Sequence, residues 1–588
     1  MRFVCLAAIL LLLSPAGSFA QSTAQADFVI TNANVITVNP QQKSAQAVAI
    51  QGNKILFVGN NAETARLISP KTRVLDAKGK TVMPGIYDGH VHSYRASVSE
   101  SGGGAPLIHS IAEAQSWIRK QAAMKPEGSW IILERVYASR LQEQRLPTRK
   151  ELDEAAPNNP VHWNSGPVSV ANSKALEISG ITRDTPQPAP GEIVKNADGE
   201  PTGLLRNAAH LLKGAVSSYR PSAEEHRTAL KKLHSLYNQQ GITSIGERRT
   251  DPEAIDLFRD LAKSGELSVR VNCTRLVESP PKTADEAIKR LPGITNAAPG
   301  KLAYGPTGVG DDWVRMGPLK LFLDGGMLIG TAYMREPWGV SDMYQITDPE
   351  YRGVLNVKPE VLNPLYLEAA KQGWQLTAHC TGDASPGVLL DCYEHIAKEL
   401  GLETVRNRRF QITHANFMDR ENFERCRRMK IGADIQPAWL YKDGATLLKV
   451  LGEKRMEQFQ PLRMWFRQGL YIGGGSDHMV QLDSIESTNP WNPWLGMWIA
   501  LSRQTERGGI LGRRQRIMRE QAIRFYTINN AYLNHEEKVK GSLEPGKLAD
   551  LIVIDRDILN CRVEDVRHTK VLMTMVDGKI VWQAESTE

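Results

Sequence analysis

Short apolar runs alternate with longer amphipathic stretches through the middle of the chain. Eight of these runs are bounded by Gly, Pro, Asp or Asn, which is typical of strands. In chain order they read PGIYDGHVHSYR (84–95), GITSIGE, LSVRVNCTRLV, GPLKLFLDGG, WQLTAHCTGD, RFQITHANF, KIGADIQPAWL and LYIGGGSDHMV. Stretches with helical periodicity, such as PEVLNPLYLEAAKQG, lie between many of them. This alternation predicts an α/β fold, a parallel (β/α)8 TIM barrel over residues 84–537.

Both ends of the chain carry an alternating pattern that is typical of sandwich strands. Near the N-terminus it reads DFVITNANVITV and AVAIQGNKILFVG, and near the C-terminus LADLIVID and TKVLMTMVDGKIVW. We expect residues 27–83 and 538–588 to form one discontinuous, composite β-sandwich. The first two barrel strands are separated by about 150 residues, far more than one crossover needs. We therefore expect an inserted subdomain at about 105–220.

The first twenty residues differ from both patterns. Arg2 precedes the apolar run FVCLAAILLLL, and small residues follow at Ser18 and Ala20. These features are typical of a cleavable secretory signal peptide. The apolar run is too short for a comfortable membrane span. We expect residues 1–20 to be removed and the mature protein to be secreted, in a Gram-negative cell into the periplasm, without stable membrane insertion.

The composition excludes some classes of protein. The 588 residues are 41% hydrophobic and 23% charged, as in ordinary globular proteins, and the net charge is +7. The chain contains no run of Lys and Arg of the kind that indicates a nucleic-acid-binding surface. The five cysteines beyond the signal peptide are scattered without Cys-x-x-Cys spacing, which argues against a disulfide framework or a cysteine zinc site. A small molecule is the expected partner, and a homo-oligomer stays open.

The pair His90 and His92 is the first candidate for chemistry. Side chains two residues apart on a strand point to the same face, so both imidazoles share one side. Neutral imidazole is the commonest nitrogen ligand of zinc and related divalent metals. An isolated His-x-His is more often a surface or core feature, so the pair needs further ligands to count as a metal site.

Four more residues lie where those ligands are expected. Active sites of (β/α)8 barrels form at the C-terminal ends of the strands. Lys320, His379, His414 and Asp477 stand within or directly after the fourth, fifth, sixth and eighth predicted strands. Each has a structural alternative: Lys320 could be a buried lysine paired with Asp324, and either histidine alone could be a core residue. The whole set predicts a metal site.

These motifs also resemble a known family. PGIYDGHVH, LKLFLDGG, HCTGDAS, ITHA and GGSDH, together with REQAIRFYTINNAYLN and GSLEPGKLADLIVID, resemble those of the amidohydrolase superfamily. The resemblance is nearest to the family-3 branch that includes N-substituted formamide deformylases. It runs from about residue 27 to the C-terminus, and its last motif is specific to the composite sandwich.

The resemblance implies a role for each candidate residue. It implies two divalent metal ions, most often zinc, held by His90 and His92 on one side and His379 and His414 on the other. Lys320 would bridge them as a lysine carboxylated by CO2, which only a neutral amine takes up; burial near cations favours that form. Asp477 would bind the first metal and carry the proton, so it is the expected catalytic residue.

The substrate is less well defined by the sequence. Family members carry histidine and glutamate where this chain has Pro167 and Asn207, and GITS is followed here by Glu247, Arg248 and Arg249. The candidate substrate-binding residues are Arg248, His478, Trp491 and Trp494. Arg248 or Arg249 could hold a carboxylate, with a solvent-facing ion pair as the alternative. The two tryptophans could form an apolar wall or only pack the rim.

We therefore expect a metal-dependent hydrolase that cleaves a non-peptide carbon–nitrogen bond, in an amide, an N-formyl group or a cyclic amide, through a hydroxide that bridges the metals. An isomerase, a decarboxylase or an ester or lactone hydrolase on the same fold stays open. A non-catalytic scaffold is disfavoured because such relatives typically lose metal ligands, and this chain keeps them all.

Overall fold

The computed structural model describes residues 25–101, 106–166, 168–188, 191–215, 220–278 and 281–585. The predicted signal peptide and Pro167 lie outside these ranges. The strands, in chain order, are β1 (Phe28–Thr31), β2 (Asn34–Asn39), β3 (Gln42–Ala45), β4 (Ala47–Gln51), β5 (Lys54–Gly59), β6 (Arg73–Asp76), β7 (Thr81–Pro84), β8 (Ile86–Val91), β9 (Ile131–Glu134), β10 (Val161–Asn164), β11 (Val168–Ala171), β12 (Glu192–Lys195), β13 (Pro201–Arg206), β14 (Ile242–Thr250), β15 (Arg270–Leu276), β16 (Val314–Phe322), β17 (Leu376–Cys380), β18 (Gln411–His414), β19 (Gly432–Ile435), β20 (Ile472–Gly474), β21 (Leu551–Ile554), β22 (Val571–Val576) and β23 (Lys579–Gln583).

The helices separate most of the barrel strands. They are α1 (Asn61–Ala65), α2 (Ser93–Ala96), α3 (Ile111–Met124), α4 (Arg149–Ala155), α5 (Ser173–Ser179), α6 (Ala223–Gln239), α7 (Pro252–Lys263), α8 (Ala284–Thr295), α9 (Pro359–Lys371), α10 (Ser385–Leu400), α11 (Leu402–Arg408), α12 (Arg420–Met429), α13 (Pro437–Met456), α14 (Leu462–Arg467), α15 (Pro493–Ser502), α16 (Arg519–Phe525), α17 (Ile528–Leu533) and α18 (Val563–Val566). Among the described residues, none of these helices has the length and apolar character needed to cross a bilayer.

Eight parallel strands form the central barrel sheet, in the order β20-β19-β18-β17-β16-β15-β14-β8. Two backbone hydrogen bonds bring its two end strands together: His92 N donates to His478 O at 2.8 Å, and Asp477 N donates to His90 O at 2.7 Å. These are the eight strands expected from the sequence, and the predicted barrel fold is confirmed. The closure places the loop after β20 directly beside the His-x-His segment.

Amphipathic helices cover the outside of the barrel, and α7 shows how the sequence produces one. The Asp251 carboxylate accepts a hydrogen bond from Ala254 N at 2.8 Å, and Pro252 occupies the first turn. Both features start a helix well, because they satisfy or remove backbone donors that have no partner inside the helix. Ile255 and Phe258 then lie buried against the sheet, each contributing about 1.5–3 kcal/mol through burial.

Strands from both chain ends form the terminal sheets. One sheet has the order β5-β4-β1-β6, and the other has the order β23-β22-β21-β7-β2-β3. The second sheet joins the termini, because β21 pairs antiparallel with β7, with Val553 opposite Val82. An apolar core lies between residues of both ends. The composite sandwich follows from this pairing, while its predicted boundaries at 83 and 538 stay predictions.

The inserted segment folds around its own sheet, in the order β12-β13-β11-β10-β9. Trp163 is buried in a separate apolar core and donates its indole N–H to Val136 O at 3.0 Å. Arg140 joins the insert to the barrel helix α13 through two hydrogen bonds to Asp443, at 3.0 and 2.9 Å. This buried ion pair holds the segment around Tyr137 against the mouth of the barrel.

Candidate metal centre

The six predicted ligands lie together at the C-terminal end of the barrel strands. His90 is in β8 with His92 just beyond it, and the others lie in β16, β17 and β18 or follow β20. All six line one cavity of about 270 Å³, whose wall includes His90, His92, Lys320, His379, His414 and Asp477. The sequence places these residues up to 387 positions apart by number, and only barrel closure brings them to one rim.

The rings and carboxylate are close enough to share a metal. The ring centroids are 5.4 Å apart for His90 and His92, and 5.0 Å apart for His90 and His414. His379 lies 4.6 Å from His414 by the same measure. Asp477 Oδ1 is 3.3 Å from His90 Nε2 and 3.1 Å from His92 Nε2. Ligand atoms of His90, His414 and Asp477 lie within 4.8 Å of one another, which suits one cation between them.

Three histidines are oriented by a second group behind the ring. In each case Nδ1 forms the hydrogen bond, which leaves Nε2 directed away from that partner. The pairs are His90 with Asp434 Oδ1 at 2.6 Å, His379 with Asp324 Oδ1 at 2.9 Å, and His414 with Gln436 Oε1 at 2.7 Å. The sequence analysis missed Asp434 and Gln436, although both lie at the end of the seventh predicted strand, which was a usable signal.

At the site, two buried imidazole nitrogens, His90 Nε2 and His92 Nδ1, have no hydrogen-bond partner among the described residues. An unpaired buried polar atom is costly unless something binds it. Burial also lowers the pKa of His92 to about 3 and holds that of His414 well below its usual range, so both rings are neutral. Neutral imidazole is the form that binds metal. The donor set therefore fits a divalent metal.

Lys320 is buried and makes no hydrogen bond or ion pair with the described residues. Burial lowers the pKa of its amine to about 8; the charges of Asp477 and Asp434 oppose this shift, and those of Arg248 and Arg249 add to it. The alternative pairing with Asp324 is wrong, because that carboxylate is occupied by other donors. Asp324 accepts hydrogen bonds from His379 Nδ1, Thr381 N, Gly382 N and Ser385 Oγ at 2.8–3.1 Å.

Asp477 sits on strained backbone at the centre of the site. Its φ is +57°, and that of His414 is +74°, a left-handed conformation that non-glycine residues rarely adopt. Gly475 lets the backbone before Asp477 pass close to His90, because a Cβ at Gly475 would lie 2.6 Å from His90 Cβ. Burial alone would raise the pKa of Asp477, but His90 and His92 outweigh it and hold the pKa well below its usual range. The carboxylate is therefore ionised.

Asp434 is expected to control metal affinity without touching the metal. It accepts from His90 Nδ1 and from Thr413 Oγ1 at 2.9 Å, and Arg248 Nη2 lies 3.6 Å away. Asp434→Asn should weaken metal binding about 10- to 100-fold, because the imidazole loses its charged partner. Titration with a metal buffer measures this, with exposed Asp198→Asn as the control. Unchanged affinity would show that Asp434 does not act through His90.

The four predicted substrate-binding residues lie outside the cavity wall, and that prediction is corrected. The Arg248 side chain is buried, and its Nε donates a hydrogen bond to Gly89 O at 2.8 Å. Its Nη2 faces Asp434, so the guanidinium cannot hold a substrate carboxylate. The ring of His478 lies between Tyr237 OH at 2.7 Å and Gln481 O at 2.5 Å.

The two tryptophans are corrected for the same reason. The Trp491 ring packs 5.0 Å from that of Tyr237, and Trp494 is fully buried in α15. Both side chains therefore belong to the core behind the site. The segment after Asp477 still lines the cavity at Met479 but places the two tryptophans behind it, which closeness in sequence did not reveal.

The other departures from the family pattern lie in different places. Asn207 lines a neighbouring cavity between the insert and the loop after β16. Glu247 is buried and accepts hydrogen bonds from Ser93 N at 2.7 Å and Ser93 Oγ at 2.6 Å, and burial raises its pKa to about 8. Arg249 alone of this group lines the cavity of the candidate site.

Apart from the six ligands and Arg249, the cavity wall is made from residues that the sequence analysis did not select. Its apolar part consists of Phe322, Met327, Leu328, Ile329, Trp439, Leu447 and Phe459, and its cationic part of Arg95, Arg135 and Arg249. Trp439 follows the end of β19 by four residues, so its place after a barrel strand was the one signal available. The remaining wall comes from strand ends such as Phe322 in β16, from helices α2 and α13, from loops and from the insert.

Comparisons with known proteins agree with this architecture. A family model described as the amidohydrolase family matches residues 73–582. N-substituted formamide deformylase of Arthrobacter pascens is 30% identical over 571 residues, covering 95% of this chain and 99% of the relative. Protein LONG AFTER FAR-RED 3 of Arabidopsis thaliana is 29% identical, covering 94% and 91%.

A solved structure shows the same fold. An uncharacterized metal-dependent hydrolase from Pyrococcus horikoshii superposes with a TM-score of 0.66, covering 91% of this chain and 99% of the other at 22% identity. The family model spans most of the chain, including the barrel with its ligand set and the sandwich strands from β6 onward. The resemblance inferred from the motifs is thus confirmed, and this protein is an enzyme of the amidohydrolase family.

Proposed function

We propose that this protein is a metal-dependent hydrolase that cleaves a non-peptide carbon–nitrogen bond in a small amide, N-formyl compound or cyclic amide. One observation carries the proposal: four histidines, a buried lysine and an ionised aspartate converge on one cavity at the strand ends. The similarity to N-substituted formamide deformylase over almost the full chain supports a carbon–nitrogen bond as the target.

The residues present fit two divalent ions, and their nitrogen and oxygen donors suit zinc. His90, His92 and Asp477 would hold the first, and His379 and His414 the second; His414 also lies within reach of the first, since its ligand atom is within 4.8 Å of those of His90 and Asp477. Lys320, once carboxylated, would help to hold both, since its amine is buried and makes no hydrogen bond or ion pair with the described residues, only a contact with the Phe322 ring at 5.2 Å. When bound, such ions act as Lewis acids that polarise a carbonyl and lower the pKa of water.

Asp477 would move the proton. Its carboxylate is held ionised beside His90 and His92, so it can accept a proton from the attacking water. The same group can then deliver that proton to the departing nitrogen, which lets a poor amine leaving group depart. No other carboxylate of the cavity wall is free for this, because Asp443 is held by Arg140.

The apolar wall would position the remainder of the substrate. Phe322 and Trp439 flank the ligand set with Leu328 and Ile329, and a site of this kind excludes water from the reacting bond. The insert contributes Tyr137 and Ser165 to the same wall, so it closes one side of the cavity.

The proposal predicts both metal content and reaction class. Mature protein purified without chelator should hold about two equivalents of divalent metal and hydrolyse members of an amide, formamide and cyclic amide panel. Elemental analysis and a coupled amine assay measure the two quantities, and dialysis against a chelator should remove both together. Zinc should then restore them.

Two results would contradict it. Full activity at a metal content near zero would exclude the metal mechanism. Turnover of lactones or esters with none of the carbon–nitrogen panel would leave the family membership intact but replace the proposed reaction.

A further inference from the structure

Three arginines line the cavity beside the metal centre. Arg95 lies in α2, Arg135 follows β9 in the insert, and Arg249 lies in β14. They come from three separate elements of the barrel and the insert. We call these three residues the arginine rim.

The arginine rim is poorly neutralised by the protein. The guanidinium of Arg95 makes no hydrogen bond or ion pair with the described residues. That of Arg135 meets only Met479 Sδ, at 2.7 Å. Arg249 pairs with Glu278 through Nε at 3.2 Å and Nη2 at 3.0 Å, but Glu278 is more than half exposed, so solvent and salt screen this pair.

The three charges also act on one another. Burial, followed by the charge of Arg249, lowers the pKa of Arg95, although Glu278 and Asp251 oppose this. Neither Glu278 nor Asp251 lines the cavity. Like charges held together around a cavity destabilise the unliganded protein, and an anion between them relieves that repulsion.

The carboxylates of the cavity wall do not neutralise the arginine rim. Among the described residues, that wall contains only two carboxylates, Asp443 and Asp477. Asp443 accepts hydrogen bonds from Nε and Nη2 of Arg140, and Asp477 faces His90 and His92. The arginine rim therefore has no internal counter-ion within the cavity.

Building on the function proposed above, we propose that the arginine rim binds a carboxylate of the substrate, so that the enzyme prefers anionic N-acyl compounds to neutral amides. Guanidinium groups match the planar carboxylate with paired hydrogen bonds, which gives orientation as well as affinity. The apolar wall then contacts the carbon skeleton between the carboxylate and the amide. Both Arg135 of the insert and Arg249 of the barrel take part, which explains why the insert borders the site.

Matched substrates test the preference. N-formylphenylalanine carries a carboxylate on the amine side, and its primary carboxamide is the neutral counterpart. N-benzylsuccinamic acid carries it on the acyl side, with N-benzylbutanamide as its counterpart. The metal-loaded enzyme should show a kcat/KM at least about tenfold higher for one anionic compound than for its neutral counterpart. Which pair responds identifies the side that carries the carboxylate.

Variants connect that preference to the arginines. Arg95→Gln, Arg135→Gln and Arg249→Gln should each lower kcat/KM for the preferred anion about tenfold or more and change that of the neutral compound less than about threefold. Lysine at the same positions should restore part of the loss, since it keeps the charge without the fork. Arg420→Gln, on the exposed surface of α12, is the matched control.

Binding by calorimetry separates this inference from the proposed function. Turnover of neutral and anionic compounds at equal rates, unaffected by the arginine variants, would overturn the arginine rim and leave the hydrolase intact. Arginine-dependent binding of either anion without any turnover would support the rim and contradict the hydrolase. No arginine-dependent difference in binding or turnover for either pair would overturn the carboxylate assignment.

Discussion

Replacing Lys320 with alanine is expected to remove nearly all hydrolysis and to lower bound metal from about two equivalents to about one. The reason is the position of the amine: it is buried, makes no hydrogen bond or ion pair with the described residues, and lies in the same wall as both histidine pairs. Burial lowers the pKa of Lys320 to about 8. A substantial fraction of the amine is therefore neutral near pH 8 and able to take up CO2.

Three measurements examine Lys320. Elemental analysis gives the metal content of Lys320→Ala, and labelled bicarbonate should give a carbamate signal in wild-type protein that the variant lacks. Short carboxylates such as acetate should restore part of the activity by taking the place of the carbamate. Lys371→Ala, at the exposed end of α9, is the control. An active Lys320→Ala variant with full metal content would mean that the lysine is structural.

Replacing Asp477 with asparagine is expected to lower kcat by about 100- to 10,000-fold while the protein keeps most of its metal. Asparagine preserves the shape and one oxygen ligand but cannot accept a proton. His90 and His92 hold the pKa of Asp477 well below its usual range. In the free enzyme the carboxylate is consequently charged at neutral pH, and its ionisation should not limit the acid side of the rate profile.

Steady-state kinetics and metal analysis on the same preparation measure this effect, with Asp198→Asn as the control. His478 is the neighbouring group that sequence alone would nominate as a substitute proton carrier. Its two nitrogens are already engaged by Tyr237 and Gln481, so His478→Gln should reduce kcat far less. If Asp477→Asn kept more than about a tenth of wild-type kcat, the proton would have to move through another group.

The barrel could be predicted because its pattern is local. Each strand is a short apolar run, each helix has its own periodicity, and the order of the two defines the topology. The residues that start a helix also form a local signal, as Asp251 and Pro252 show at α7. The ligands followed from the same information, since His379 and His414 end their strands and strand ends form the rim of the barrel.

The substrate-binding residues could not be predicted in this way. Arg248 and Arg249 are adjacent, yet one is buried against Asp434 and the other lines the cavity. Trp491 lies close to Asp477 in sequence but packs behind the site on Tyr237. The direction of a loop after a strand end depends on what the loop packs against, and a single sequence does not contain that information in readable form.

By itself the sequence determined the strand and helix order, the pairing of both termini in one sandwich motif, and the identity of the six candidate ligands. The tertiary structure alone decided which side chains hydrogen-bond to these ligands and which charges surround the cavity. His90 meets Asp434 across 344 residues, and Arg95, Arg135 and Arg249 converge from α2, the insert and β14. Periodicity and capping act within a few residues, whereas hydrogen bonds across the barrel and charge around its mouth depend on distances that exist only once the chain has closed.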